Sequence, residues 1–126
     1  MQVTPHYVDI NNPHANRIQD AINASRNGDT INVAPGEYKE NLDIKRSITI
    51  ERIDPDNTGK PVIIDGQWNN KPVIRISSDA KKVFLTGLTI QNGKVNSGGG
   101  ILNSGTLTVN IELSRANFAN FANRVN

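Results

Sequence analysis

Trp68 lies in the polar run Gly66-Gln67-Trp68-Asn69-Asn70 and is the residue whose type and setting most directly suggest a ligand. An aromatic ring held in a polar loop presents a flat apolar face, the kind of surface that stacks on a sugar ring. Trp68 is therefore the candidate ligand-binding residue. The other groups able to do chemistry are scattered. Asp9, Asp20, Asp29, Glu37, Glu40, Asp43, Glu51, Asp65 and Asp79 form a stock of carboxylates from which an acid–base pair would have to be drawn. Asp43 stands between Leu42 and Ile44 and faces outward if those face inward; Glu51 follows Ile50 in the same way. Without a pairing motif, these groups read as solvated surface charge.

Metal and nucleophile chemistry find less support. Asp54-Pro55-Asp56-Asn57-Thr58-Gly59, with Asp65 at the twelfth position, imitates a calcium loop at positions 1, 3, 5 and 6. Pro61 and the lack of flanking helices break the pattern, so the segment reads as a surface turn whose Asp and Asn cap their own backbone. His6 and His14 are not spaced as a metal pair, and no Cys or third His completes a zinc site. No Ser lies in a G-x-S-x-G elbow. Ser97-Gly98-Gly99-Gly100 leads into Ile101 rather than a helix and lacks a following Lys-Ser/Thr, so it reads as a tight turn and not a phosphate cradle. Asn23-Ala24-Ser25 is a formal glycosylation sequon inside a predicted helix. No catalytic residue, metal ligand or cofactor is assigned.

The elements that must position these residues come from hydrophobic spacing. Tyr7 to Ile10 alternates as a short strand. Asn12-Pro13 reads as N-cap and first helical residue, and Ala15, Ile18, Ala21 and Ile22 predict an amphipathic helix to Ser25, stopped by Asn27-Gly28. Apolar pairs one residue apart then take over: Ile31-x-Val33, Leu42-x-Ile44, Ile48-x-Ile50, Val62-x-Ile64, Ile74-x-Ile76, Val83-x-Leu85, Leu88-x-Ile90 and Leu107-x-Val109. Turn-formers such as Asp65-Gly66 and Asn92-Gly93 separate them. The triplets fall into two tracks, one starting at Ile31, Ile48, Ile74, Leu88 and Leu107, the other at Leu42, Val62, Val83 and Ile101. Each recurs about every 20 residues, which predicts a stacked solenoid. An antiparallel sandwich fits less well, because only Asn92-Gly93 resembles a hairpin turn and no strand follows it at once.

The expected fold is all-β: a short right-handed parallel β-helix of about four to five coils with an N-terminal amphipathic capping helix. It is expected as a single domain over 1–126. Residues 1–28 would form the first strand and the cap, 29–110 the coils, and 111–126 an irregular or helical C-terminal cap with Phe118, Phe121, Ala122 and Val125 at helical spacing.

Composition narrows the partners. Fourteen basic and 12 acidic residues leave a net charge of +2, an excess too small and dispersed along the chain to argue for nucleic acid. The absence of Cys excludes disulfides. No apolar run approaches the ~20 residues of a membrane span, and MQVTPHYVDI lacks a basic-then-apolar signal pattern.

The run IQDAINASRNGDTINVAPGEYKENLDIKRSITI resembles the opening of right-handed β-helix proteins of the pectin-lyase-like superfamily. The later run GLTIQNGKVNSGGGILNSGTLTV is similar to repeats of bacterial and archaeal surface proteins, including polymorphic outer-membrane adhesins. The resemblance spans about residues 15–110 and implies a structural part for Tyr38. It implies no catalytic residue, since the motifs of the superfamily's esterases, lyases and polygalacturonases find no match. The expected function is a non-catalytic module of a secreted or cell-surface protein that binds glycans (polysaccharide) or partner proteins. The alternative is the N-terminal part of a carbohydrate-active enzyme, of the pectin methylesterase or polysaccharide lyase kind, whose catalytic coils are missing. A third is a scaffold forming a homodimer through an uncapped coil end.

Overall fold

The computed structural model describes residues 6–93, 100–113 and 122–123. The elements run β1 (His6–Val8), α1 (Ile18–Ala24), β2 (Thr30–Val33), β3 (Gly36–Lys39), β4 (Leu42–Ile44), β5 (Thr49–Arg52), β6 (Val62–Asp65), β7 (Ile74–Ile76), β8 (Val83–Gln91), β9 (Ile101–Asn103), β10 (Leu107–Leu113) and β11 (Ala122–Asn123). All strand pairs are parallel. Alternation creates most of these strands. In Leu42–Ile44, Ile74–Ile76 and Thr30–Val33 the apolar residues are buried and the residues between them are not.

Parallel register then stacks like upon like. Ile31 lies opposite Ile50, and Ile50 opposite Leu85. Leu42, Ile74 and Ile101 form a second column, and Tyr38, Ile64 and Ile90 a third. All nine side chains are buried. At strand spacing of ~4.8 Å each covers its neighbour, and full burial of such a side chain contributes roughly 1.5–3 kcal/mol.

These pairings correct the solenoid expectation. The chain is a small α/β-type fold, with strands in two parallel sheets and one short helix among the described residues; no closed solenoid is formed. The sheets have seven strands (β1-β2-β5-β8-β6-β3, with β10 also on β8) and four strands (β11-β9-β7-β4). The two predicted tracks do not exist as such. Ile74, placed in the first track, pairs with Leu42 and Ile101 of the second. Val83-x-Leu85 and Leu88-x-Ile90, placed in different tracks, belong to one nine-residue strand. That strand breaks its alternation at the exposed pair Thr86-Gly87, where Gly87 adopts φ +72°. β5 pairs with the half before the break and β6 with the half after it. β8 thus joins what would otherwise be separate ladders.

The helix is also shorter than predicted. Asn12 does not cap it; its side chain accepts from the backbone N–H of His14 in a preceding turn. The helix begins at Ile18, and the carboxylate of the distant Glu40 takes the N–H groups of Ile18 (2.8 Å) and Gln19 (2.9 Å). A buried acid from another segment does the work that a local cap does elsewhere. Ile18 and Ile22 enter the core, with Ala21 partly buried against it. Gln19 reaches the exposed edge of β4: its Oε1 accepts from Asp43 N–H and its Nε2 donates to Asp43 C=O. No helix among the described residues is long and apolar enough to cross a membrane. The predicted turn at Ser97–Gly99 and the predicted C-terminal cap residues Phe118, Phe121 and Val125 lie outside the described residues. Ala122, expected in an irregular or helical cap, is in strand β11, paired with Leu102.

Candidate functional site

The loop carrying Trp68 leaves β6 at Asp65 and is held by the side chains of Asp65 and Asn41 and by the backbone carbonyl of Asn92. The Asp65 carboxylate accepts from Gln67 N–H at 2.7 Å, from Gln91 Nε2 at 3.2 Å, and from Asn92 Nδ2 at 3.1 Å to each oxygen. Burial alone would raise its pKa. The hydrogen bonds from Gln67, Gln91 and Asn92 outweigh that effect and hold the carboxyl below its ordinary range. Asn92 also accepts Trp68 N–H on its backbone carbonyl at 2.8 Å. From the other side, Asn41 Nδ2 donates to Pro72 C=O and Gly66 C=O, and Asn41 and Asn69 exchange side-chain hydrogen bonds.

Gly66 is required where the loop turns in, because a Cβ there would lie 2.9 Å from Asn92 O and 3.0 Å from Val73 Cγ2. Gln67, Trp68 and Asn70 all have positive φ (63°, 53° and 64°). Left-handed backbone at a non-glycine residue costs on the order of 1 kcal/mol or more. The Asp65, Asn92 and Asn41 bonds hold the loop in that conformation. The result is an indole left 48% exposed on a clamped backbone.

The loop borders the outward face of the four-stranded sheet. There Asp43 of β4 lies opposite Arg75 of β7, and Arg75 opposite Leu102 of β9. Asn41, Leu42, Asp43, Lys71, Pro72 and Arg75 line a groove of about 300 Å³. A smaller one of about 120 Å³, lined by Gln19, Ile22, Asn23, Asp43, Lys45 and Arg46, lies across Asp43. Asp43 Oδ2 is 3.9 Å from Lys45 Nζ, while Oδ1 is shielded from solvent and has no hydrogen-bond partner. No family of known proteins, no curated protein and no solved structure matches this chain. The site is therefore read from its own geometry.

Several predicted residues serve the scaffold instead. Asp54 fills its turn: Oδ1 accepts from Thr58 N–H and Oγ1, and Oδ2 from Gly59 N–H and Arg52 Nη2. Those bonds, the Thr58 N–H first, hold its carboxyl below the usual range. Asp65, its partner in the imitated calcium loop, instead belongs to the Trp68 clamp. No group of three or more His, Cys, Asp or Glu among the described residues is placed to hold a metal. His6 Nε2 meets Asp29 Oδ2 at 3.1 Å, and Arg26 N–H donates to the same oxygen. The Arg26 bond, then the His6 bond, lower the Asp29 pKa. Tyr38 is fully buried, donating to Ala34 C=O at 2.7 Å and accepting from Ile10 N–H at 3.1 Å; burial pushes its phenol up to about 12.

Reading the acids as solvated charge needs correction at Asp29, Glu40 and Asp65, which are buried and bonded to backbone N–H groups. Sequence reading also missed Asn41, Lys71 and Arg75. Arg75 carried a usable signal: it is the middle residue of Ile74-x-Ile76, outward by the same alternation as Asp43.

Proposed function

We propose that this chain is a non-catalytic, glycan-binding module of a secreted or cell-surface protein, with Trp68 and the groove lined by Lys71 and Pro72 of its loop as the binding site. The exposed Trp68 on its clamped, positive-φ loop carries the reading. Backbone held in a costly conformation marks a place where presentation of a side chain outweighs local stability. An exposed ring ordered in advance loses little freedom on binding. Asn41, Asp43, Lys71 and Arg75 supply donors and acceptors for hydroxyl groups in the groove that Lys71 and Pro72 of the same loop help line.

A glycan array probed with the wild type and Trp68→Ala tests this. Truncating a central aromatic contact costs about 2 kcal/mol or more, so the variant should bind roughly thirtyfold less tightly while melting at the same temperature. Binding to no glycan, or equal binding by Trp68→Ala, refutes the proposal.

A further inference from the structure

Four cations and one carboxylate line the two grooves that meet at Asp43: Lys71 and Arg75 on one side, Lys45 and Arg46 on the other. The whole chain carries a formal charge of only +2. This face therefore holds an excess of three positive charges, and the remainder of the chain is slightly acidic. The cations come in two pairs, Lys45–Arg46 just after β4 and Lys71 with Arg75 before and within β7, and the β4–β7 pairing brings the two pairs to grooves that share Asp43. Charge that looks dispersed along the chain is concentrated by the parallel register.

Three of the four cations are available; Arg46 donates from Nη1 to Ser25 C=O and Asn23 C=O. Lys45, Lys71 and Arg75 are exposed. Among the described residues Lys71 and Arg75 have no salt-bridge partner, and the Lys45–Asp43 pair, at 3.9 Å with side chains 68% and 46% exposed, is worth little in water. The carboxylate in their midst has an opposite need. Its Oδ1 is shielded, so Oδ2, 3.9 Å from Lys45 Nζ on a side chain 46% exposed, is the oxygen that can accept from a ligand hydroxyl. A complementary ligand carries anionic groups together with hydroxyl donors. A DNA backbone has the anions without the hydroxyls, whereas a sulfated sugar has both.

Resting on the glycan reading above, we infer that the ligand of this face is a sulfated polysaccharide strand. A ring stacks on Trp68, sulfate esters lie against Lys71, Arg75 and Lys45, and a ring hydroxyl donates to Asp43 Oδ2.

The test titrates the full chain with a highly sulfated glucosaminoglycan oligosaccharide, its chemically desulfated form, and a single-stranded DNA oligonucleotide of equal charge. The sulfated sugar should bind tightest. With three ion contacts, a fourfold rise in salt should weaken it about 20-fold. Arg75→Ala should flatten the log–log salt slope by about 0.7, while Lys60→Ala, which removes the same charge from the loop before β6, should leave it unchanged. Equal affinity for the desulfated sugar overturns this inference and leaves the glycan reading standing. Equal affinity for the oligonucleotide also overturns it, by showing a general polyanion surface. Failure to bind any saccharide overturns both.

Discussion

Asp65→Asn isolates what one buried charge does for the Trp68 loop. The native carboxylate accepts four hydrogen bonds, supplied by Gln67, Gln91 and Asn92. Asparagine has nearly the same shape but keeps one acceptor oxygen and presents an NH₂ where the other stood. Hydrogen bonds to a charged group are worth about 1.5–3 kcal/mol, so losing one, with a donor now facing donors, should cost about 2–3 kcal/mol near pH 7. The cost should fade in acid. A carboxyl held below its ordinary value contributes stability that is present above the unfolded pKa of about 3.9 and is lost as pH falls through the folded value. Wild type and variant should therefore converge in stability below about pH 4. Urea denaturation followed by Trp68 fluorescence reads the effect at the loop itself, since the chain has a single tryptophan. A difference under about 0.5 kcal/mol at pH 7, within the range of ordinary surface changes, would refute the clamp; so would one that persists unchanged well below pH 4.

Glu40→Ala removes the acceptor for two helix N–H groups and should destabilise the protein by about 2 kcal/mol, with loss of helical circular dichroism; unchanged helicity would contradict its capping role. Tyr38→Phe strands Ile10 N–H and Ala34 C=O and should cost about 1–3 kcal/mol. Because burial raises the Tyr38 phenol to about 12, its contribution should be lost as pH climbs from about 10 past that value, which an alkaline melting series would show as a falling Tm in wild type but less so in the variant. Ile50→Asp places a carboxylate in a fully buried column and should abolish cooperative unfolding, whereas Glu51→Ala next to it should leave the melting curve nearly unchanged; equal effects would show that the alternation is misassigned.

Strands were legible wherever apolar residues alternate. Leu42–Ile44, Ile74–Ile76 and Ile101–Asn103 emerge where triplets or their leading apolar residues were read. Strand β3 was not legible, because Gly36-Glu37-Tyr38-Lys39 contains one apolar side chain. Partnership was the larger failure. Every triplet offers the same buried face, so alternation does not say which one sits beside which, and loops of unequal length such as 53–61 and 66–73 disturb spacing as a guide. The positive φ of Gly87, which stands where one strand passes from one ladder to the next, has no hydrophobic signature. The site shows the same division. Trp68 stood out by type and setting. Glu40 and Asp65 did not, because the N–H and amide donors that make their burial tolerable come largely from distant segments. Lys71 and Arg75 gain meaning only when β7 is laid beside β4.

Strand β8 also sets an order of assembly. β1, β2 and β5 form one pairing group, and β3 and β6 another, each complete before residue 66. The seven-stranded sheet links these groups only through β8. During synthesis from the N-terminus, the strands of both groups therefore emerge before the one that joins them into a sheet. The two groups can become one sheet only once residues 83–91 are present, and pairing with β8 is then what closes the long loops between them.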